Sequence, residues 1–115
     1  VDCCKKHKAA IIVDEAHSTG VLSEQGRGLV CELELEQQIF ARVVTFGKAM
    51  GCHGAIILGS DILKNYLINY ARSFIFTTAI PPHSLLLIQK AYQVLEQTNR
   101  VDILAEHICF FKNIH

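Results

Sequence analysis

Hydrophobic positions along this chain fall into short blocks separated by glycine and polar residues. Ala9 to Asp14 places Ile11, Ile12 and Val13 in succession, which predicts a buried parallel strand. Phe40 to Phe46 and Gly54 to Gly59 repeat that pattern and predict two more strands, and the aromatic, β-branched run Ser73 to Thr78 predicts a fourth. Elsewhere the apolar period is helical. Leu63, Leu67 and Tyr70 share one face of a helix capped by Ser60 or Asp61 and running to about Arg72. Leu85, Ile88, Tyr92 and Leu95 form the inner face of a helix that Pro81-Pro82 opens and that runs to about Gln97. Asp102 is expected to cap a final helix, and residues 2 to 8, polar and basic, read as the last turn of another. Ser18 to Gly28, with glycines at 20, 26 and 28 and no period, reads as a loop in which Arg27 is solvated rather than bound to an anion. Leu29 to Gln38 stays open between a short helix and an irregular segment. Strands alternating with helices imply an α/β architecture, a mostly parallel sheet with flanking helices. Gly51 to Gly54 is too short for a crossover, so the third strand is expected antiparallel to its predecessor or reached across the sheet.

Composition narrows the function classes. Half of the residues are hydrophobic and 19% are charged, which is apolar for a free-standing domain of this size and predicts faces covered by more chain or by a partner. Eleven basic and eleven acidic residues leave no net charge, so nothing points to nucleic acid or to a membrane surface. No apolar run approaches the roughly 18 residues of a membrane span. The N-terminus lacks the apolar core of a signal peptide and does not begin with methionine, so the chain reads as starting within a longer protein. Five cysteines without a Cys-x-x-Cys fit a reduced, cytoplasmic compartment. Cys52-His53 are adjacent, a spacing unsuited to chelating one tetrahedral ion, and the other histidines show no ligand spacing, so no metal site is expected.

Two strand ends carry the candidate chemistry. Ile11-Ile12-Val13 leads into Asp14-Glu15-Ala16-His17, and Val43-Val44-Thr45-Phe46 leads into Gly47-Lys48-Ala49-Met50-Gly51. Open α/β sheets place ligands at the carboxyl ends of their strands, and a glycine before Lys48 permits a tight or positive-φ turn. A nucleotide-hydrolase reading of Asp-Glu-Ala-His requires an upstream G-x-x-x-x-G-K-[ST] loop, and here the Gly-Lys pair lies downstream and alanine follows it. A pyridinium-type cofactor needs a lysine amine for its aldehyde, a carboxylate against its ring nitrogen and a donor to its ring oxygen. Lys48, Asp14 and His17 can fill those roles in that order. Ala16 is small enough for a ring to lie flat on it, and Thr45 offers a hydroxyl to a phosphate. The plain alternative is a solvated lysine after a strand and an Asp–His loop pair.

Three motifs then act together. Val13-Asp14-Glu15-Ala16-His17-Ser18-Thr19-Gly20 with Glu24-Gln25-Gly26-Arg27-Gly28, Thr45-Phe46-Gly47-Lys48-Ala49-Met50-Gly51, and Phe76-Thr77-Thr78-Ala79-Ile80-Pro81-Pro82 resemble, in order, segments of the α-oxoamine synthase family. The resemblance covers nearly the whole chain. It implies the large domain of an aspartate aminotransferase-like, fold type I enzyme with pyridoxal 5'-phosphate (PLP) as cofactor. By it, Asp14 faces the pyridine nitrogen, His17 the ring oxygen and Thr45 the phosphate, while Lys48 holds the cofactor as an imine and carries a proton. Thr77 and Thr78 match the segment that reaches the phosphate across a homodimer interface. Such enzymes condense an amino acid with an acyl-CoA or acyl-carrier-protein thioester and release CO₂. Phe46 stands where the glycine C-acetyltransferase and 5-aminolevulinate synthase branches more often carry leucine, which places those branches second. Residues 1–115 are expected to form part of the large domain, ending in a helix that leads toward a small domain. The ring-stacking histidine and the substrate-binding groups of the family fall outside these residues. The isolated chain is therefore expected to lack turnover, and a non-catalytic interaction module is the competing expectation.

Overall fold

A computed structural model of the chain describes residues 1–114. Its helices are α1 (Asp2–Lys6), α2 (Leu29–Glu32), α3 (Asp61–Tyr70), α4 (Arg72–Ile75), α5 (Pro82–Gln97) and α6 (Arg100–Ile114), and its strands are β1 (Ile12–Asp14), β2 (Ala41–Thr45) and β3 (Ala55–Gly59). Short 3-10 turns at Glu24–Gly26 and Glu36–Gln38 punctuate the long connection from β1 to β2.

β2 is the central strand. It pairs in parallel with β1, Asp14 opposite Val43, and antiparallel with β3, Thr45 opposite Ala55. The α/β architecture is as expected, and among the described strands one pairing is parallel and one, to β3, is antiparallel, as the short connection predicts. The connection from β2 to β3 has no room for a helix, which forces the antiparallel pairing. Alternation along β2 then sorts its side chains. Ala41 and Val43 share an apolar groove with Leu63 and Leu67 of α3, whereas Arg42 and Val44 border Tyr92 and Leu95 of α5 on the other face. The buried cluster Val44, Phe46 and Met50 is roofed by Ile88, Ala91 and Leu95, and the Tyr92 ring meets Phe46 edge-on with centroids 6.1 Å apart. Leu85, expected on that inner face, is 54% exposed.

Local signals set several boundaries. Ser60, not Asp61, caps α3: its Oγ accepts from Leu63 N at 3.2 Å. Pro82 opens α5. Asp102 lies inside the first turn of α6, where its charge suits the helix dipole, because the helix already begins at Arg100. The expected strand Ser73–Thr78 is absent. Phe74 N and Ile75 N both donate to Ala71 O at 2.9 Å, and Phe76 N to Arg72 O at 3.1 Å, so these amides are satisfied within one helical turn instead of a ladder. β-branched and aromatic composition records fit to a sheet surface, and here Ser73 and Phe74 border the Val43, Ala55 and Ile57 face of the sheet from a helical turn rather than joining it as a strand. β1 is parallel as expected but is not buried within this chain, with Ile12 65% exposed.

Candidate functional site

Because β1 and β2 run parallel, their carboxyl ends reach the same edge of the sheet. Asp14 ends β1 and Thr45 ends β2. Past β1 the chain folds back at once: Asp14 Oδ1 accepts from Ala16 N at 2.9 Å, the short-range bond that aspartate makes at turns. That bond leaves Asp14 and His17 exposed on the edge and Ala16 buried between them. Past β2 the chain closes a second turn, with Gly51 N donating to Lys48 O at 3.0 Å and Cys52 N to Phe46 O at 2.7 Å. Phe46 and Met50 anchor this turn from beneath while Lys48 stands exposed on top. The two turns touch, since Gly20 packs directly against Ala49. Asp14, Ala16, His17, Thr45 and Lys48 thus belong to one rim built from two neighbouring strand ends.

Between the exposed carboxylate and the buried alanine lies Glu15, which is 1% exposed. Its Oε1 accepts from Val30 N at 2.8 Å and from Ser18 Oγ at 3.1 Å, and its Oε2 accepts from Arg42 Nε at 2.7 Å and from Arg42 Nη2. Arg42 Nη2 also donates to the carbonyl of Arg27 at 3.0 Å. Burial drives the Arg42 pKa down, but the hydrogen bonds and charge of Glu15 outweigh that and hold the guanidinium above its usual value. Gly28, at φ +97°, leaves room for this pair: a Cβ there would fall 2.7 Å from Glu15 Oε1. Neither Glu15 nor Arg42 stood out in the sequence. They are 27 residues apart, and only the parallel register of β1 on β2 brings them together.

One polar atom on the rim lacks a partner. Thr45 Oγ1 is buried and accepts or donates no hydrogen bond among the described residues, a condition it shares with Thr19 Oγ1. Thr77 and Thr78 are not brought to the rim by any described contact; both are exposed, and Thr77 Oγ1 donates back to the Ser73 carbonyl. Of the tight or positive-φ turn that a glycine before the lysine permits, the tight turn is what forms, and the left-handed residue comes after the lysine, at Gly51 with φ +61°. Gly47 is not among the residues with positive φ. Arg27 is exposed, and its carbonyl is the part that engages the rest of the fold. Among the described residues no group of three or more His, Cys, Asp or Glu could hold a metal ion, and no helix is long and apolar enough to cross a membrane.

The aminotransferase class I and II family model matches residues 1–114. The 8-amino-7-oxononanoate synthase of Emericella nidulans is 54% identical over 84 residues, covering 73% of this chain and 20% of that enzyme. The crystal structure of 8-amino-7-oxononanoate synthase from Francisella tularensis superposes with a TM-score of 0.79 at 37% identity, over 90% of this chain and 31% of that one. Serine palmitoyltransferase from S. paucimobilis, solved with a bound PLP–myriocin aldimine, gives 0.75 at 32% identity over 83% and 25%. The chain spans 20% to 29% of the length of the curated relatives it matches.

Proposed function

This chain belongs to the aminotransferase class I and II family, in its PLP-dependent α-oxoamine synthase branch, and from that premise we propose that its full-length parent joins an amino acid to an acyl-CoA thioester with loss of CO₂. The more specific reading is L-alanine plus pimeloyl-CoA giving 8-amino-7-oxononanoate, a step of biotin biosynthesis. The identity to 8-amino-7-oxononanoate synthases supports that reading over the glycine C-acetyltransferase and 5-aminolevulinate synthase branches. We place the chain within the large PLP-binding domain of a cytoplasmic homodimer, with Thr77 and Thr78 serving the partner's phosphate site.

The observation that carries the reading is the shared rim: a carboxylate, an imidazole and an amine on two parallel strand ends, beside a buried hydroxyl with no partner. That donor set fits PLP. When bound, PLP supplies an electron-withdrawing ring that stabilises negative charge on the substrate carbon next to nitrogen. Asp14 would keep positive charge on the ring nitrogen, and His17 would donate to the ring oxygen. Ala16 would present an apolar surface to the ring, and Thr45 Oγ1 would donate to the phosphate. Lys48 Nζ would attach the cofactor covalently and then move the proton to and from the substrate carbon. The bond from Ala16 N holds Asp14 Oδ1, and Oδ2 would be the atom left for the ring nitrogen.

Borohydride reduction of the full-length protein should fix the cofactor on Lys48, located by peptide mass spectrometry, and a label on another lysine would refute the assignment. Thioester-dependent CO₂ release with alanine and pimeloyl-CoA, compared with glycine and short acyl-CoAs, decides between the branches. The isolated chain should give no turnover. Turnover by it would refute the domain assignment. A full-length protein that binds no PLP would favour the interaction-module alternative.

A further inference from the structure

The contact between the two turns is unusually close. A Cβ built on Gly20 would fall 2.5 Å from Ala49 Cβ, closer than non-bonded carbon atoms tolerate, and Gly20 sits at φ +79°. Each side of this contact is held from behind. Gly20 N donates to Gly26 O at 2.8 Å, which ties it to the glycine loop. Ala49 belongs to the turn closed by the Gly51 and Cys52 amides and anchored by buried Phe46 and Met50. A side chain at position 20 could therefore be admitted only by lifting one turn from the other. Ala49 and its neighbour Lys48 are exposed, whereas the loop behind Gly20 is fastened to buried Glu15, so the lysine turn is the side that gives way.

We propose that Gly20 is a positioning residue for Lys48: the missing side chain at position 20 sets how closely the lysine turn seats on the Asp14–His17 turn. This rests on the PLP reading above. A lift of a fraction of an ångström moves the Lys48 amine relative to Asp14 and His17, and it changes both the hold on the cofactor and the electronic state of the lysine-bound ring. Backbone strain at Gly20 alone would cost stability without that consequence.

The test uses the full-length holoenzyme and the pair Gly20→Ala and Gly20→Ala with Ala49→Gly. In the pair the obstructing Cβ is gone and the nearest Ala49 atom, its Cα, lies 3.8 Å from the new methyl, an ordinary contact. The unfavourable φ is the same in both. Gly20→Ala should shift the pH midpoint of the visible cofactor band and raise the PLP dissociation constant about 10-fold. The pair should return both to within about twofold of wild type. An unshifted band and unchanged affinity in Gly20→Ala would overturn the proposal, and so would a pair as impaired as the single variant. If Gly20→Ala accumulates poorly, the pair decides: recovery of folded protein with a wild-type band supports the contact, and failure points to backbone strain and overturns it. A wild-type protein with no PLP on Lys48 would overturn the functional reading and this proposal together. A labelled wild type with an insensitive Gly20→Ala overturns only the latter.

Discussion

Thr45→Val should change two measurements in opposite directions. The substitution keeps the shape of the side chain and removes Oγ1, the buried atom without a hydrogen-bond partner. Leaving a hydroxyl buried and unpaired costs about 1–3 kcal/mol, so the cofactor-free protein should gain stability, by about 1 kcal/mol after partial relaxation. A hydrogen bond to a charged acceptor contributes about 1.5–3 kcal/mol, so loss of the donor to the PLP phosphate should weaken cofactor binding roughly 10- to 150-fold. Urea unfolding of the apoprotein gives the first quantity, and absorbance titration with PLP gives the second. A destabilised apoprotein would show that Oγ1 already has a partner. Unchanged PLP affinity would remove Thr45 from the phosphate site, whatever the stability result.

Asp14→Asn should lower kcat at least about 100-fold, or roughly 2.7 kcal/mol, with PLP still bound to Lys48, because only charge at the ring nitrogen is lost; turnover near normal per cofactor-loaded molecule would remove Asp14 from the site. Glu15→Ala strands the largely buried Arg42 and the Val30 N–H, and should destabilise the protein by about 3–5 kcal/mol in denaturant unfolding. Glu15→Leu with Arg42→Met should cost less than Glu15→Ala alone, and strict additivity would refute the coupling. Asp61 titrates below its ordinary 3.8 because Lys64 Nζ donates to it at 2.8 Å and adds its charge. A lowered carboxylate pKa stabilises the folded state above the unfolded value, and that support fades as pH falls through the folded one. Lys64→Gln should therefore raise the Asp61 midpoint in an NMR titration, and no change would refute the pairing.

At the two strand ends the sequence was legible. Apolar runs stopping at Asp14 and Thr45 placed both groups, and the short Gly51–Gly54 connection correctly foretold the antiparallel β3. What escaped was set by three-dimensional contact. Glu15 reads as one more polar residue beside Asp14, yet alternation at the strand end turns one carboxylate outward and its neighbour into the interior. Phe74 to Phe76 have strand-forming side chains, but Ala71 offers its carbonyl first. Leu85 has the right helical phase and lies beyond the reach of the Val44–Phe46–Met50 cluster. Thr77 and Thr78 lie exposed, and Thr77 turns its hydroxyl back to the Ser73 carbonyl rather than toward the rim.

The turn that carries Lys48 is also the lid of the hydrophobic core, with Phe46 and Met50 reaching down on either side of the lysine into contact with α5. Surface loops ordinarily open and close on their own, independently of the fold beneath. The exposed Lys48–Ala49 tip can shift by a fraction of an ångström, but full release of this loop means withdrawing Phe46 from Tyr92 and Met50 from the cluster. In amide hydrogen exchange the Gly51 and Cys52 N–H groups, though they lie in a turn at the rim, should exchange as slowly as the interior of β2. The Lys48 amine is solvent-facing, while the peptide groups that hold it should be clocked by unfolding of the whole domain.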